Sequence, residues 1–489
     1  MGENKLVLLP SPAVGHIITM VEMGKLLFRR HSDTSAAHFS ITILLPGPAS
    51  APAVDACINS VEASGLDIEF RRLPRVDPPT DNDGPEDFTS LLMQKLMPHV
   101  KYAVADIQRL SAAPVAALIV DFYATGALDF TRELGVPCYV YFTTSAAFLA
   151  LMLYLPTLHE NFPMEFEEME EAVHIPGVCP ILPLSMPAPF MSKKSGRYTC
   201  FVHHGRRFCE LDGIIINTFA ELQPETLRAV EKGLCVPGRW MPPVFPVGTV
   251  LASHVDGGGA SNGRLRRHEC LAWLDEQPAG SVVFLCFGSR GSFEAVQVAE
   301  MAKGLERSGH RFLWALRVAS LKEAELVMRQ PEEPSRLEEV LPKGFTERTK
   351  GRGMVLVSWA PQADILAHLA VRGFVTHCGW NSCLESLWFG VPMLGWPLYA
   401  EQHLNAVVMA EDMGVALRLE VEREKGNWVG AEELERGVGK LMGEGEEGRR
   451  VRAKAKEMMA ASRRAGEEGG SSFVTMKKLL VELLTKRAP

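Results

Sequence analysis

Two histidine-containing segments and one isolated aspartate are the first residues in this sequence with chemistry to offer. The apolar run 5–9 gives way to Pro10-Ser11-Pro12-Ala13-Val14-Gly15-His16, and a helical pattern with Ile17, Val21, Met23 and Leu27 follows. A second run, 117–120, is followed at once by Asp121. If the two runs are neighbouring parallel strands, an imidazole and a carboxylate 105 residues apart come within hydrogen-bonding distance. The carboxylate would fix one tautomer of the ring and stabilise its cation, leaving the other nitrogen as a base. Taken singly, His16 equally suits a packed histidine and Asp121 a helix cap.

The run 373–376 leads into His377-Cys378-Gly379-Trp380-Asn381-Ser382-Cys383-Leu384-Glu385. A helix opening near Ser382 would offer backbone N–H groups and a positive dipole end to an anion. Ser382 and Glu385 alone read as a capping box, which leaves His377, Trp380 and Asn381 unaccounted for. Phe287-Gly288-Ser289-Arg290-Gly291 follows the run 282–287. Glycine there allows close backbone approach, so its N–H groups and Ser289 could reach a phosphate. No G-x-G-x-x-G follows any strand, which counts against a dinucleotide-dependent oxidoreductase. The triplet Asp81-Asn82-Asp83 has a cation-binding spacing but stands alone in a Pro/Gly-rich loop; no metal is expected.

These residues need a scaffold of strands to position them. In the first half, runs at 5–9, 39–45, 68–73, 117–120, 138–142 and 213–217 read as strands; in the second, 282–287, 311–316, 354–358, 373–376, 392–395 and 415–419. They are near-continuously apolar and alternate with helical spans, the pattern of parallel strands covered on both faces. The class is α/β. A proline-rich stretch, 240–246, and a glycine-rich one, 253–267, read as a linker. The expected division is a first domain over 1–245, a linker over 246–268 and a second domain over 269–465. A tail over 466–489 follows, with Phe473, Met476, Leu479, Leu480, Leu483 and Leu484 at helical spacing, suited to crossing back onto the first domain.

With 47% hydrophobic and 22% charged residues in 489, disorder is excluded as the main theme, and a net charge of −8 argues against nucleic-acid binding. Ten cysteines without a CxxC pair suggest neither a disulfide framework nor a zinc cage. No run reaches the 18 or more apolar residues of a membrane span, and the N-terminal run is too short for a signal-peptide core. A cytoplasmic protein is expected. The acidic stretches 77–87 and 165–171 read as solvated loops, and 449–456 as a helix surface.

From Trp359-Ala360-Pro361-Gln362, through His377-Cys378-Gly379-Trp380-Asn381-Ser382, Glu385, Gly390-Val391-Pro392 and Trp396-Pro397, to Tyr399-Ala400-Glu401-Gln402, a 44-residue block closely resembles the signature box of plant UDP-sugar-dependent glycosyltransferases acting on small molecules. The resemblance extends over essentially the whole chain, weakest near 50–87 and 160–194. It implies a GT-B architecture: two Rossmann-like doubly wound domains facing across a cleft, acceptor mainly on the first and donor mainly on the second. It assigns Trp359 to stacking on uracil, Gln362 to the ribose neighbourhood and Glu385 to both ribose hydroxyls. His377, Asn381, Ser382 and Ser289 resemble diphosphate ligands, and Trp380, Glu401 and Gln402 match sugar-contacting positions. Many relatives have Asp where Glu401 stands. Trp380 and Gln402 resemble glucose-using members. His16 and Asp121 fall where the family has its base and the base's orienting partner. A monomer is the family's habit.

Elementary chemistry fits these roles. Indole offers a flat stacking surface, a carboxylate accepts from two hydroxyls, and a helix N-terminus with imidazole and amide donors stabilises a departing diphosphate without a metal. Attack on the face opposite the diphosphate inverts the anomeric centre, so an α-linked donor gives a β-glycoside. Val14, Ile17, Tyr123, Phe142, Ser145, Phe148 and Met152, with Met191 and Tyr399, suit a largely apolar wall for a planar phenol. The expectation is an inverting UDP-glucose-dependent glucosyltransferase of a phenolic or flavonoid-type acceptor, with UDP-glucose as co-substrate and no cofactor. Carbon–carbon transfer to a polyphenol such as a dihydrochalcone, or another UDP-sugar, are alternatives. An NAD(P)-dependent reductase and an inactive sugar-nucleotide binder are more distant ones.

Overall fold

The structure, a computed structural model, describes residues 4–31, 38–47, 52–110, 114–251, 268–318, 341–357 and 359–486. The chain divides into two compact units, Met1–Ala252 with Ser462–Pro489, and Ser253–Ala461.

The first unit carries β1 (Asn4–Leu9), β2 (Phe39–Leu45), β3 (Ile68–Arg72), β4 (Val115–Asp121), β5 (Cys138–Phe142), β6 (Gly213–Ile216) and β7 (Val244–Pro246). They form one sheet in the order β3-β2-β1-β4-β5-β6-β7, with every pairing parallel. Every residue of β2, β4 and β5 is buried, because helices between successive strands cover both faces and leave water no access to either row of side chains. The second unit holds β8 (Val282–Cys286), β9 (Arg311–Ala315), β10 (Gly353–Leu356), β11 (Val371–Thr376), β12 (Met393–Gly395) and β13 (Ala416–Arg418). Its order is β10-β9-β8-β11-β12-β13, again all parallel. Each sheet therefore reverses its winding once, between β1 and β4 and between β8 and β11. At such a switch point the loops after the two strands diverge and leave a crevice for ligand. The fold is GT-B, two Rossmann-like doubly wound units.

The C-terminal helix Ser471–Thr485 belongs to the first unit. Its Met476, Leu479, Leu480 and Leu483 enter the same core as Leu6 and Leu8 of β1 and Met20 and Val21 of the helix Val14–His31. Arg30 reinforces this cover, donating to the Gly466 carbonyl and lying 4.8 Å over the Phe473 ring.

The structure differs from the sequence expectation at the proline-rich stretch 240–246. Val244–Pro246 is not linker but the edge strand β7, paired with β6 through Ile216 and Pro246. An edge position tolerates proline, since only one side of the strand needs its N–H groups. The glycine-rich stretch 253–267 lies outside the described residues. Among the described residues no helix is long and apolar enough to cross a membrane.

Candidate active site

In the first unit the switch point brings the ends of β1 and β4 side by side, Leu9 opposite Val120. The helix Val14–His31 opens directly after β1, so His16 stands in its first turn. Asp121 ends β4 and caps the short 3-10 turn Phe122–Ala127, accepting from the Tyr123 N–H at 3.1 Å with Oδ1. Its Oδ2 meets His16 Nδ1 at 2.6 Å. The carboxylate is 0% exposed, while the imidazole keeps 27% of its side-chain surface. A carboxylate can only accept, so Nδ1 carries the proton and Nε2 is the basic nitrogen. Phe122 and Tyr123 lie beside the ring, with centroids at 6.1 and 6.4 Å.

Of the wall residues read from the sequence, Tyr123 and Met191 are half-buried. Val14 packs on the edge of the core, and Ile17 lies inside it. Phe142, Phe148 and Met152 are fully interior. Phe142 packs on Phe122 and Phe208, and Phe148 packs on Phe190 and Phe201. Ser145 is the N-cap of the helix Ala146–Asn161, accepting from the Phe148 N–H at 3.2 Å. Tyr399 belongs to the second unit.

The sequence reading missed the helix Gly196–Arg207, which sends Tyr198, Phe201 and His204 into this aromatic cluster. Its signal was present: aromatic residues three apart on one helix face, close after a proline-rich stretch. His204 is buried, with Nδ1 2.7 Å from Thr125 Oγ1 and Nε2 3.0 Å from Ser90 Oγ. Burial pushes its pKa down to about 3, so it stays neutral and pins the 3-10 turn that Asp121 caps.

In the second unit the switch point carries the loops after β8 and β11. His377 follows β11 and is only 6% exposed. Its ring fills a slot between two glycines. A Cβ on Gly288 would lie 2.6 Å from His377 Nε2, and one on Gly379 would lie 2.4 Å away. Gly288 also has φ +72°, a conformation that side chains disfavour. Burial holds the His377 pKa down to about 4, so the imidazole is neutral near pH 7.

The helix after this loop runs Trp380–Trp388, with Gly379 as its N-cap. It starts two residues earlier than the sequence suggested, and this overturns the capping-box reading. Ser382 lies in the third helical position and Glu385 one turn on, so neither caps. Gln362 Nε2 instead donates to both, at 3.0 Å to Ser382 Oγ and 2.7 Å to Glu385 Oε2. Burial raises the Glu385 pKa to about 7, against the opposing pull of the Gln362 hydrogen bond.

Trp359 is 59% exposed, so its indole face is open to a flat ring. Trp380 is buried, Asn381 half-buried and Ser289 exposed. The Ser289 carbonyl accepts from the Arg317 guanidinium. Tyr399 lies 6.2 Å from the His377 ring, with Arg290 5.4 Å over its face. Glu401 accepts from Asn405 Nδ2 at 3.4 Å. Gln402 spends its Oε1 on the Leu398 and Tyr399 N–H groups, 3.0 Å each. Donor groups around a helix N-terminus can hold a diphosphate, and Glu385 can accept from a pair of vicinal hydroxyls. Among the described residues no group of three His, Cys, Asp or Glu is arranged to hold a metal. The triplet 81–83 instead ties its loop to the start of the helix Gly196–Arg207: Asp83 Oδ2 accepts from the Gly196 N–H at 2.5 Å.

The family described as UDP-glucoronosyl and UDP-glucosyl transferase matches residues 226–427. A malvidin galactosylase of Oryza sativa subsp. japonica is 46% identical over 494 residues, covering 100% of this chain and 99% of the relative. An anthocyanidin 5,3-O-glucosyltransferase of a Rosa hybrid cultivar is 38% identical, covering 98% of each. A solved UGT of Phytolacca americana, complexed with UDP-2fluoro-glucose and pterostilbene, superimposes with a TM-score of 0.84 at 34% identity, covering 99% of each chain.

Proposed function

Because the chain belongs to the plant UDP-glycosyltransferases and is a UDP-sugar-dependent glycosyltransferase, we propose that it transfers glucose, with inversion, to a hydroxyl of a flavonoid-type phenol. The observation that carries this reading is the 2.6 Å contact between His16 and a wholly buried Asp121 carboxylate. A histidine so oriented takes the phenolic proton on Nε2 as the phenol oxygen attacks the anomeric carbon, and Asp121 stabilises the imidazolium that forms. The C1–O bond to the diphosphate breaks with its electron pair, and UDP leaves. Neutral His377, the N–H groups at the Trp380–Trp388 helix start, Asn381, Ser382 and Ser289 take up the charge that develops on UDP. Trp359 stacks on uracil, Gln362 lies at the ribose and Glu385 accepts from its two hydroxyls, while Trp380, Glu401 and Gln402 contact the sugar. Val14, Tyr123 and Met191 border the acceptor, and no metal takes part.

A flavonoid-type acceptor is supported by the named substrates of the Oryza and Rosa relatives. The same Oryza relative, a galactosylase, supports UDP-galactose as a second reading of the donor. Purified protein offered both donors with a panel of flavonols, anthocyanidins and a dihydrochalcone tests all of this. A hexosylated, acid-labile product formed faster from UDP-glucose supports the reading. Faster transfer from UDP-galactose replaces the donor, an acid-resistant product replaces O- with C-transfer, and absence of any product overturns it.

A further inference from the structure

Beyond the signature block, the short turn Arg423–Lys425 leads through Gly426, with φ +72°, into Asn427, with φ +64°. Two left-handed residues in succession fold the chain back so that Glu422 and Trp428 bond to each other in both directions, at 2.9 and 3.1 Å. Asparagine tolerates this backbone better than most side chains do. What the turn delivers is a single residue making three bonds to one neighbouring segment. The Asn427 carbonyl accepts from Trp396 Nε1 at 3.0 Å, its Nδ2 donates to the Leu398 carbonyl at 2.8 Å, and its Oδ1 lies 2.8 Å from His403 Nε2. A carbonyl only accepts, so the amide orientation is forced, and His403 must donate from Nε2.

The segment held in this way, 396–403, contains Glu401 and Gln402. Its start is anchored in the core, where Trp396 packs against Phe287 and Phe293. At its centre Ala400 has φ +51°, a strained conformation for a residue with a Cβ, which persists only where its surroundings over-determine it. The residues that would meet the nucleotide, Gln362, Ser382 and Glu385, are tied to one another instead.

We propose that Asn427 is a positioning residue for the donor's sugar: by its three bonds to segment 396–403 it sets where Glu401 and Gln402 stand, and with that which hexose the site prefers. The proposal rests on the donor-site reading above. Glucose and galactose differ only in the configuration of one hydroxyl, so discrimination needs hydrogen-bonding groups held to a fraction of an ångström.

The test uses Asn427→Gly, which keeps the left-handed backbone without strain and removes the side-chain bonds, Asn427→Asp, and Glu401→Ala as a benchmark. Affinities for UDP and for UDP-glucose are measured without acceptor by calorimetry. Values of kcat and KM are then measured with UDP-glucose and UDP-galactose. For Asn427→Gly the expected result is UDP affinity within twofold of the parent, UDP-glucose affinity at least tenfold weaker, and a glucose-to-galactose ratio of kcat/KM shifted at least fivefold. Asn427→Asp should recover part of the loss, since it still accepts from His403. Equal loss of UDP and UDP-glucose affinity would reduce Asn427 to a general structural role and overturn the proposal. So would an unchanged donor ratio. If Glu401→Ala weakens UDP-glucose and Asn427→Gly does not, the clamp alone is wrong. If neither substitution affects UDP-glucose, the sugar-site reading fails and takes the clamp with it.

Discussion

The two sheets wind in the same order about their switch points, β3-β2-β1-β4-β5-β6 and β10-β9-β8-β11-β12-β13, and each switch point holds a histidine. Their surroundings are opposite. In the first unit the carboxylate is sealed in and the imidazole is partly open, so the ring can gain a proton while its partner balances the charge. In the second the imidazole is sealed between two glycines, and burial favours its neutral form. On the proposed reading the first histidine changes its charge during turnover and the second keeps it. On that reading a switch-point crevice serves proton transfer or anion recognition according to which group is buried.

Asp121→Asn should do the greatest damage. It keeps the shape but favours the wrong tautomer of His16, and kcat should fall by about 10³–10⁴. UDP affinity should stay within about twofold, because no donor group is touched. A loss of kcat below tenfold would end the distinction between the two histidines. Gly379→Ala attacks the other site. A methyl 2.4 Å from His377 Nε2 must displace the ring, and UDP affinity should drop about 100-fold by calorimetry, the size expected when a buried hydrogen-bonding arrangement is lost. The pH profile of kcat should not move, and a moved profile would mean that the sites are not independent.

The neutral histidines also predict how the fold responds to acid. The pKa of His204 is lowered to about 3, and those of His377 and His403 to about 4. Between pH 6.5 and those values the unfolded chain binds protons that the folded one refuses, so stability falls as pH falls. At pH 5 this amounts to about 2 kcal/mol for each histidine. Glu385 works the other way, since protonation below about 7 relieves its burial. Urea midpoints for His204→Gln should show a pH 7-to-5 loss about 2 kcal/mol smaller than the parent's. An equal loss would mean that His204 is not held neutral.

The smallest effect sharpens the comparison most. Ribose hydroxyls prefer an ionised Glu385, so uridine, which has no phosphate to titrate, should bind about tenfold more tightly at pH 8 than at pH 6. The slope should vanish in Glu385→Gln. A pH-independent affinity in the parent would remove the carboxylate from the ribose site.

Much of this was legible in the sequence because strand ends are. His16 and Asp121 are polar residues at the close of apolar runs, and two parallel strands bring such ends together whatever lies between them. Ser382 and Glu385 left two readings open, because a capping box and two ligand-binding positions share one spacing; the choice depends on where the helix starts, and with Gly379 rather than Ser382 as its cap the capping box is excluded. Proline at 246 hid β7, since composition cannot say which strand will lie at an edge. Phe142, Phe148 and Met152 were read as wall residues, but whether a strand-end aromatic faces a ligand or another aromatic depends on the helix Gly196–Arg207, far along the chain. Asn427 gave no signal at all. Its role depends on a left-handed backbone and on three partners in another loop, neither of which follows a period.

The helix Ser471–Thr485 completes the core begun by β1, and this has a consequence for biosynthesis. A ribosome must make the whole second unit before it can supply Met476, Leu479, Leu480 and Leu483 to the first. At ordinary elongation rates that delay is roughly 10–45 s. Through that interval the nascent sheet exposes the apolar groove that this helix will fill, and the second unit can fold first although it is translated later.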